Sequence, residues 1–370
     1  MGYKYWYIDD DMNNTMDGII QALNQNKEVL DVKPQRALTD WEKQWDELDE
    51  ESFDGLILDL RLCDAADENG KRAEFNGATL AQEIRSRQRD GLKSFPIVLL
   101  SANDNLQKLL NSTSIELFDY IQSKGNINFD KLSSILLSLC KGYELIRSKK
   151  DFSRITGIDP VKLLNHSFVE EFTSLLKKEV YEISNFIINH LILRRGLLIE
   201  KEVLLARLGV DKNSPDLHYL LKALEEIKYK GAFGDGWERW WMPLLEDWWD
   251  TKIDSESYFR SLTATKRVEL LKEKLGIQNL QPISKIENAV SESFWTVCKG
   301  TGKAIDTIDG LILADRNLPY SWQEKEYISI KEALEEEYRG DTWKNIAGFE
   351  KDKLEKIKAS KREEQKRKRR

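Results

Sequence analysis

The chain predicts an α/β fold: a doubly wound parallel sheet of five βα units, followed by a mainly α-helical region. Three observations carry this expectation. Over residues 1–148, short apolar runs alternate with segments of helical spacing. Two of the runs, Leu56–Leu60 and Ile97–Leu100, are short apolar strands bounded by Gly or Pro, as strands covered on both faces are. From Phe152 onward strand-like runs become rare and helical periodicity dominates.

The elements follow in order. Tyr3–Ile8 reads as a buried strand, with an acidic turn and then a helix over about Asn13–Asn24. Glu28–Val32 is an edge-like second strand, and Leu38–Leu48 a helix with Trp41 and Trp45 one turn apart. Leu56–Leu60 is the third strand, and Thr79–Arg87 an amphipathic helix with Leu80 and Ile84 on one face. Ile97–Leu100 and Phe118–Ile121 complete the sheet, and Phe129–Ile146 closes it as a helix. Strands separated by helices require right-handed crossovers and a sheet covered on both sides. The size and count are those of a flavodoxin-like (βα)5 domain.

Residues 149–350 are the helical region, with a weaker subdivision near 250–265. Helices are expected at Val161–Leu164, Phe168–Ile192, Lys201–Leu208, Leu217–Tyr229, Trp237–Trp249, Tyr258–Leu275, Ile283–Lys299 and Ile328–Tyr338. Residues 351–370 form a basic tail, a solvated helix or disordered segment: Lys358–Arg370 hold eight Lys or Arg against Glu363 and Glu364.

Composition excludes several classes. Cys63, Cys140 and Cys298 lie far apart, so neither a disulfide framework nor a Cys metal site is expected. No run reaches the roughly 18 apolar residues of a membrane span, and the N-terminus does not read as a secretion signal. A cytoplasmic protein without membrane contact is expected. The net charge of −7 argues against a chain built mainly to coat nucleic acid.

In a doubly wound sheet, ligands collect at the carboxyl ends of the strands. Asp9, Asp10 and Asp11 follow the first strand, Asp59 the third, Ser101 the fourth and Lys124 the fifth. These four ends bring carboxylates, a hydroxyl and an ammonium to one rim. That set suits phosphoryl transfer to a carboxylate. Clustered Asp groups repel unless a hard dication binds, and Mg²⁺ prefers oxygen ligands. Hydroxyl and ammonium groups hold the remaining phosphoryl oxygens.

These residues, in this order at strand ends, resemble the receiver domains of bacterial response regulators. The resemblance implies that Asp59 is the phosphoacceptor, that Asp9, Asp10 and Asp59 hold Mg²⁺, and that Ser101 and Lys124 bind phosphate, with Tyr120 as the switch aromatic. It covers about 40% of the chain. Three departures mark an atypical member. Gly77 is the equivalent of a glycine usually about eight residues past the acceptor, so Leu60–Asn76 contains an insert, charged enough to predict a mobile flap beside Asp59. Gly125 replaces the usual Pro after the lysine, and Tyr120 lies four residues before Lys124 rather than three. Asp-Leu-Arg-Leu at 59–62, the insert and Gly-Ala-Thr-Leu-Ala at 77–81 are similar to an atypical receiver subgroup whose members often sit among bacterial stress or antiphage genes.

The helical region carries no catalytic constellation, and the chain is not expected to be an enzyme. The run from Gly236 to Trp249 holds Trp237, Trp240, Trp241, Trp248 and Trp249. Core packing is the first reading, and a partner-binding surface that includes Arg239 is the alternative. Pro243 is expected to end or kink a helix there. Lys201–Tyr229 has the outline of a helix-turn-helix with Leu208–Val210 as its turn. Asp216 with Glu226 and Lys228 has the letters of a nuclease motif, read here as coincidence. Gly300–Lys303 is too short for a phosphate-binding loop.

The function expected is a signalling protein phosphorylated on Asp59 by a histidine kinase or other phosphodonor, passing its state to protein partners through the helical region. The alternatives are a phosphorylation-independent adaptor of a stress or antiphage defence system, using a degenerate receiver fold, and a nucleic-acid-binding effector acting through the basic tail.

Overall fold

The structure, a computed structural model, describes residues 2–10, 14–26, 28–50, 52–66, 69–102, 112–163, 165–287, 289–314, 319–335 and 345–368. Asp11, Asp67, Glu68, Arg369 and Arg370 lie outside the described residues. The chain falls into two compact units: Met1–Pro160, Phe168–His190 and Lys230–Trp237 in one, and Val161–Ser167, Leu191–Tyr229 and Glu238–Arg370 in the other.

The first unit is the expected doubly wound sheet. Strands β1 (Tyr3–Asp9), β2 (Leu30–Arg36), β3 (Gly55–Asp59), β4 (Ile97–Ser101) and β5 (Tyr120–Ser123) are all parallel, in the order β2-β1-β3-β4-β5. That order reverses direction at β1 and β3, the switch point where such sheets leave a crevice. Between the strands run α1 (Asn14–Leu23), α2 (Trp41–Glu50), α3 (Gly77–Arg89) and the single turn α4 (Ser112–Ile115), and α5 (Phe129–Ser148) closes the sheet.

Alternate residues of the central strands serve opposite faces, as a pleated strand requires. Trp6, Ile8, Leu56, Leu58, Ile97 and Leu99 pack with Trp45, Leu80 and Ile84 of α2 and α3. Tyr5 belongs to the other face, where its hydroxyl donates to the Leu136 carbonyl of α5 (2.8 Å). The second strand begins two residues later than expected and runs on to Arg36, because Leu30 and Val32, but not Glu28, are the residues that reach the core.

Past α5, the first unit adds α6 (Phe152–Thr156) and α9 (Val180–Phe186); α7 (Pro160–Leu163) and α8 (His166–Leu175) lie between them in sequence. Phe152, Phe168, Phe172 and Phe186 form one aromatic cluster, with centroids 5.3–6.4 Å apart. The remote segment 230–237 is stitched in by hydrogen bonds from Ala232 N to the Ile155 carbonyl (2.7 Å) and from Gly236 N to Ser138 Oγ (2.9 Å).

Among the described residues, the second unit is helical with three two-stranded antiparallel ribbons. Its helices are α10 (Lys201–Leu208), α11 (Leu217–Ala223), α12 (Met242–Lys252), α13 (Ala264–Leu275), α14 (Ile330–Leu334) and α15 (Gly348–Lys368). The ribbons pair β6 (Leu198–Ile199) with β7 (Trp240–Trp241), β8 (Thr296–Val297) with β9 (Ala304–Ile305), and β10 (Gly310–Ile312) with β11 (Tyr327–Ser329).

Three helical expectations are corrected here. The described residues of Ile283–Lys299 are irregular chain leading into β8, because backbone groups there are claimed from a distance. Asp309 accepts from Val290 N and Ser291 N (2.8 and 3.0 Å), and Ile283 N donates to the Gly209 carbonyl (2.8 Å). The described part of Ile328–Tyr338 divides between β11 and the short α14. Trp240 and Trp241 are strand residues, and Pro243 opens α12 instead of ending a helix. A proline in the first turn lacks only an N–H that would be unpaired anyway.

Arg267 is a buried staple of this unit. Its Nε and Nη atoms donate to the carbonyls of Phe259, Arg207, Phe294 and Arg260 at 2.6–3.2 Å. Burial pulls its guanidinium down to about 10.

Candidate functional site

The carboxyl ends of β1, β3, β4 and β5 gather the predicted set. Ile8 is in register with Leu58, so Asp9 and Asp59 end adjacent strands, and Ser101 stands one residue beyond the partner of Asp59 on β4. Asp9, Asp10, Asp59 and Ser101 are all buried. Lys124, just past β5, places its ammonium 2.8 Å from Asp9 Oδ2 and 2.7 Å from Asp59 Oδ1. Burial pulls this ammonium down, but Tyr7 and the hydrogen bonds to Asp59 and Asp9 outweigh it and hold the group above the ordinary lysine value. One cation position is therefore shared by two carboxylates from neighbouring strands.

The insert supplies contacts that side-chain patterns do not announce. Arg61 N donates to Asp59 Oδ2 (2.7 Å), and Ala65 N donates to Asp10 Oδ2 (2.5 Å). The expected flap is not loose chain at its ends. Leu62, Ala73 and Phe75 are buried in the sheet's own core, and Phe75 meets Trp41 edge-on at 4.8 Å. The charges that suggested mobility, such as Asp64, Lys71 and Arg72, lie between these anchors, and Asp64 pairs with Arg61 at the surface (3.2 Å).

Oxygen donors of this kind suit a hard dication. Asp9 and Asp59 already share a cation, the Lys124 ammonium, which stands in for such an ion. Asp10 is turned to Ala65 N, and among the described residues no three acidic, His or Cys groups converge on one metal position.

Gly77 explains itself at this rim. A Cβ there would lie 2.1 Å from the Asp59 carbonyl oxygen, so the start of α3 can approach the acceptor strand only without a side chain. Gly77→Ala is expected to cost about 1–3 kcal/mol of unfolding free energy, the usual penalty of overpacking, read as a lower denaturant midpoint. Asn76 caps the same helix through Thr79 N (2.9 Å).

Tyr120 is on β5, in register with Val98, and its hydroxyl donates to Gln122 Oε1 (2.9 Å) while its ring stands edge-on to Trp237 at 6.2 Å. The strand carries no bulge between Tyr120 and Ser123, so the displaced aromatic is a displaced side chain and not a change of register.

The other motifs are placed without forming a site. Trp240, Trp241, Trp248 and Trp249 are at most 3% exposed and Trp237 is buried, so the aromatic run is core and not an exposed docking face. Arg239 spends its donors on the Ile192 and Glu238 carbonyls (both 2.8 Å). Eight residues separate α10 from α11, too many for the three- or four-residue turn of a DNA-binding helix-turn-helix. Asp216 accepts from Asn279, and Glu226 pairs with Lys252, so the nuclease letters do not meet. Gly300–Lys303 turns the β8–β9 hairpin, with Gly302 at φ +68°. The described part of the basic tail is the end of α15, whose buried contact is Leu354. Among the described residues no helix is long and apolar enough to cross a membrane.

No family model and no curated protein matches the chain. Solved structures similar to its N-terminal part include the N-terminal domain of a response regulator/sensory box/GGDEF 3-domain protein from Carboxydothermus hydrogenoformans, at 18% identity over 38% of this chain and 96% of that one, TM-score 0.29. The response regulator RcsB from Salmonella enterica serovar Typhimurium, bound to promoter rprA with phosphomimetic BeF3⁻, is 20% identical over 60% of this chain and 99% of that one, TM-score 0.28. The Mn²⁺-bound response regulator Rcp1 is 17% identical over 38% and 91%, TM-score 0.25. The fold itself rests on the chain's own strand order and register: a flavodoxin-like parallel sheet followed by a helical region.

Proposed function

We propose that the first unit accepts a phosphoryl group on Asp59 from a histidine kinase or other phosphodonor, with Mg²⁺, and that the second unit carries the resulting state to a protein partner. The observation that supports it most is the Lys124 ammonium, shared between Asp9 and Asp59 at 2.8 and 2.7 Å.

Each residue has a role that its position suits. A carboxylate oxygen of Asp59 forms the new bond to phosphorus as the donor's P–N bond breaks, and the bonding pair leaves with the donor imidazole. Lys124 shifts its ammonium from the carboxylates to a phosphoryl oxygen, and Ser101 offers a hydroxyl to another. Asp9 and Asp10, with Asp59, would hold Mg²⁺, which when bound offsets charge on the phosphoryl oxygens. Burial of the rim strengthens each of these interactions relative to water.

Beryllofluoride with Mg²⁺, a phosphoryl mimic, is expected to raise the melting temperature by roughly 5–10 °C at saturation, and Asp59→Asn should abolish the rise. An unchanged melting temperature, with Asp59→Asn behaving as wild type in cells, would overturn the reading. The phosphorylation-independent adaptor would then take its place.

A further inference from the structure

The connection between β3 and α3 crosses the acidic rim and holds it. Two backbone N–H groups of this segment, four residues apart, donate to two carboxylates of the rim: Arg61 N to Asp59 Oδ2 (2.7 Å) and Ala65 N to Asp10 Oδ2 (2.5 Å). The segment is pinned on either side of those contacts. Leu62 is fully buried in the sheet core, and the Ala66 carbonyl accepts from Arg36 Nη2, at the end of β2 (2.8 Å).

One ammonium faces three carboxylates at this rim, which leaves an excess of negative charge for a dication to offset. Lys124 supplies one positive charge to Asp9 and Asp59, while Asp10 is satisfied by an amide. An oxygen that accepts an N–H hydrogen bond must give it up, or share it, before it enters a cation's coordination shell.

We propose that residues 61–66 form a strap over the rim, and that the strap and a divalent cation compete for Asp10. The inference rests on the reading of the rim as a cation and phosphoryl site, and adds what controls entry to it. The strap keeps the apo rim closed, and a cation binds by displacing the Ala65 amide. Arg36 sets how firmly the strap is held, since it fixes the Ala66 carbonyl.

The test uses the full chain and Mg²⁺ alone. Ala65→Pro removes the N–H and keeps the anchors, so it should tighten Mg²⁺ binding roughly tenfold or more, the worth of a hydrogen bond to a charged group. Arg36→Ala should act in the same direction more weakly, and it guards against a proline variant that folds poorly. In the wild type, saturating Mg²⁺ should accelerate hydrogen exchange at the Ala65 amide. Equal Mg²⁺ affinity in all three proteins, with Ala65 exchange unmoved by the ion, overturns the strap and leaves the cation reading standing. Binding to Ala65→Pro but not to wild type supports the strap in its strongest form. No Mg²⁺ binding to any of the three overturns both.

Discussion

Asp119→Ala is expected to destabilise the α/β unit by about 3–5 kcal/mol, the cost of leaving a buried charge without its partner. Asp119 sits immediately before β5 and is almost fully buried. One carboxylate oxygen accepts from Arg85 Nη2 and Ile97 N (both 2.8 Å), and the other from the Tyr143 hydroxyl (2.8 Å). Burial pushes that hydroxyl well above its ordinary value, so it remains a donor. Arg85 is buried too, with its other donors on the Leu117 and Phe95 carbonyls and on Gln88. This ion pair therefore joins α3, α5, β4 and the entry to β5, the elements that set the height of Lys124 at the rim.

A double replacement separates the two contributions. Arg85→Met with Asp119→Leu should unfold at a higher denaturant concentration than Asp119→Ala alone, because apolar side chains leave no stranded charge. Equal stability of the wild type and Asp119→Ala in urea would show that the network contributes nothing net. A double variant less stable than the single one would assign the loss to packing instead.

The rim and the network differ in how far they could be read beforehand. Asp59, Ser101 and Lys124 were legible because apolar strand runs stop where the chain leaves the sheet, and a polar residue at each stop is visible in one sequence. Gly77 was legible for a related reason: a helix that starts against a strand end needs a residue without a Cβ. The strap was not legible. Its donors are the amides of Arg61 and Ala65, which any residue but proline carries, and its anchors are the single apolar residue Leu62 and the backbone carbonyl of Ala66. The side chains in between gave the opposite impression.

The same limit applies beyond residue 150. Helical periodicity marks which residues face inward, but not which core they enter. Phe168 and Phe172 share a periodicity with the helices around them, yet pack with Phe152 and Phe186 in the first unit. Segment 230–237 returns to that unit through backbone groups of Ala232 and Gly236. Long-range backbone hydrogen bonds of this kind also took Ile283–Lys299 out of the helix that its apolar spacing favoured.

The tryptophan run, by contrast, yields a large and specific expectation. Trp249→Ala should destabilise the second unit by about 3–5 kcal/mol, as loss of a fully buried aromatic does. The Trp249 ring is completely buried and stacks on Phe259 at 4.5 Å, within a cluster that includes Leu245, Trp248, Val268 and Leu271. Phe259 also passes its carbonyl to Arg267, so the cavity left by the ring opens beside the buried guanidinium. Trp249→Phe keeps most of the stacking area and should cost much less. Near-UV circular dichroism and urea midpoints of the two variants distinguish core from surface: an exposed docking ring would lose partner affinity and leave both midpoints near wild type. A lowered midpoint for Trp249→Ala, with Trp249→Phe close to wild type, places the ring's contribution in packing. Any partner of the second unit must then be read by residues other than these tryptophans.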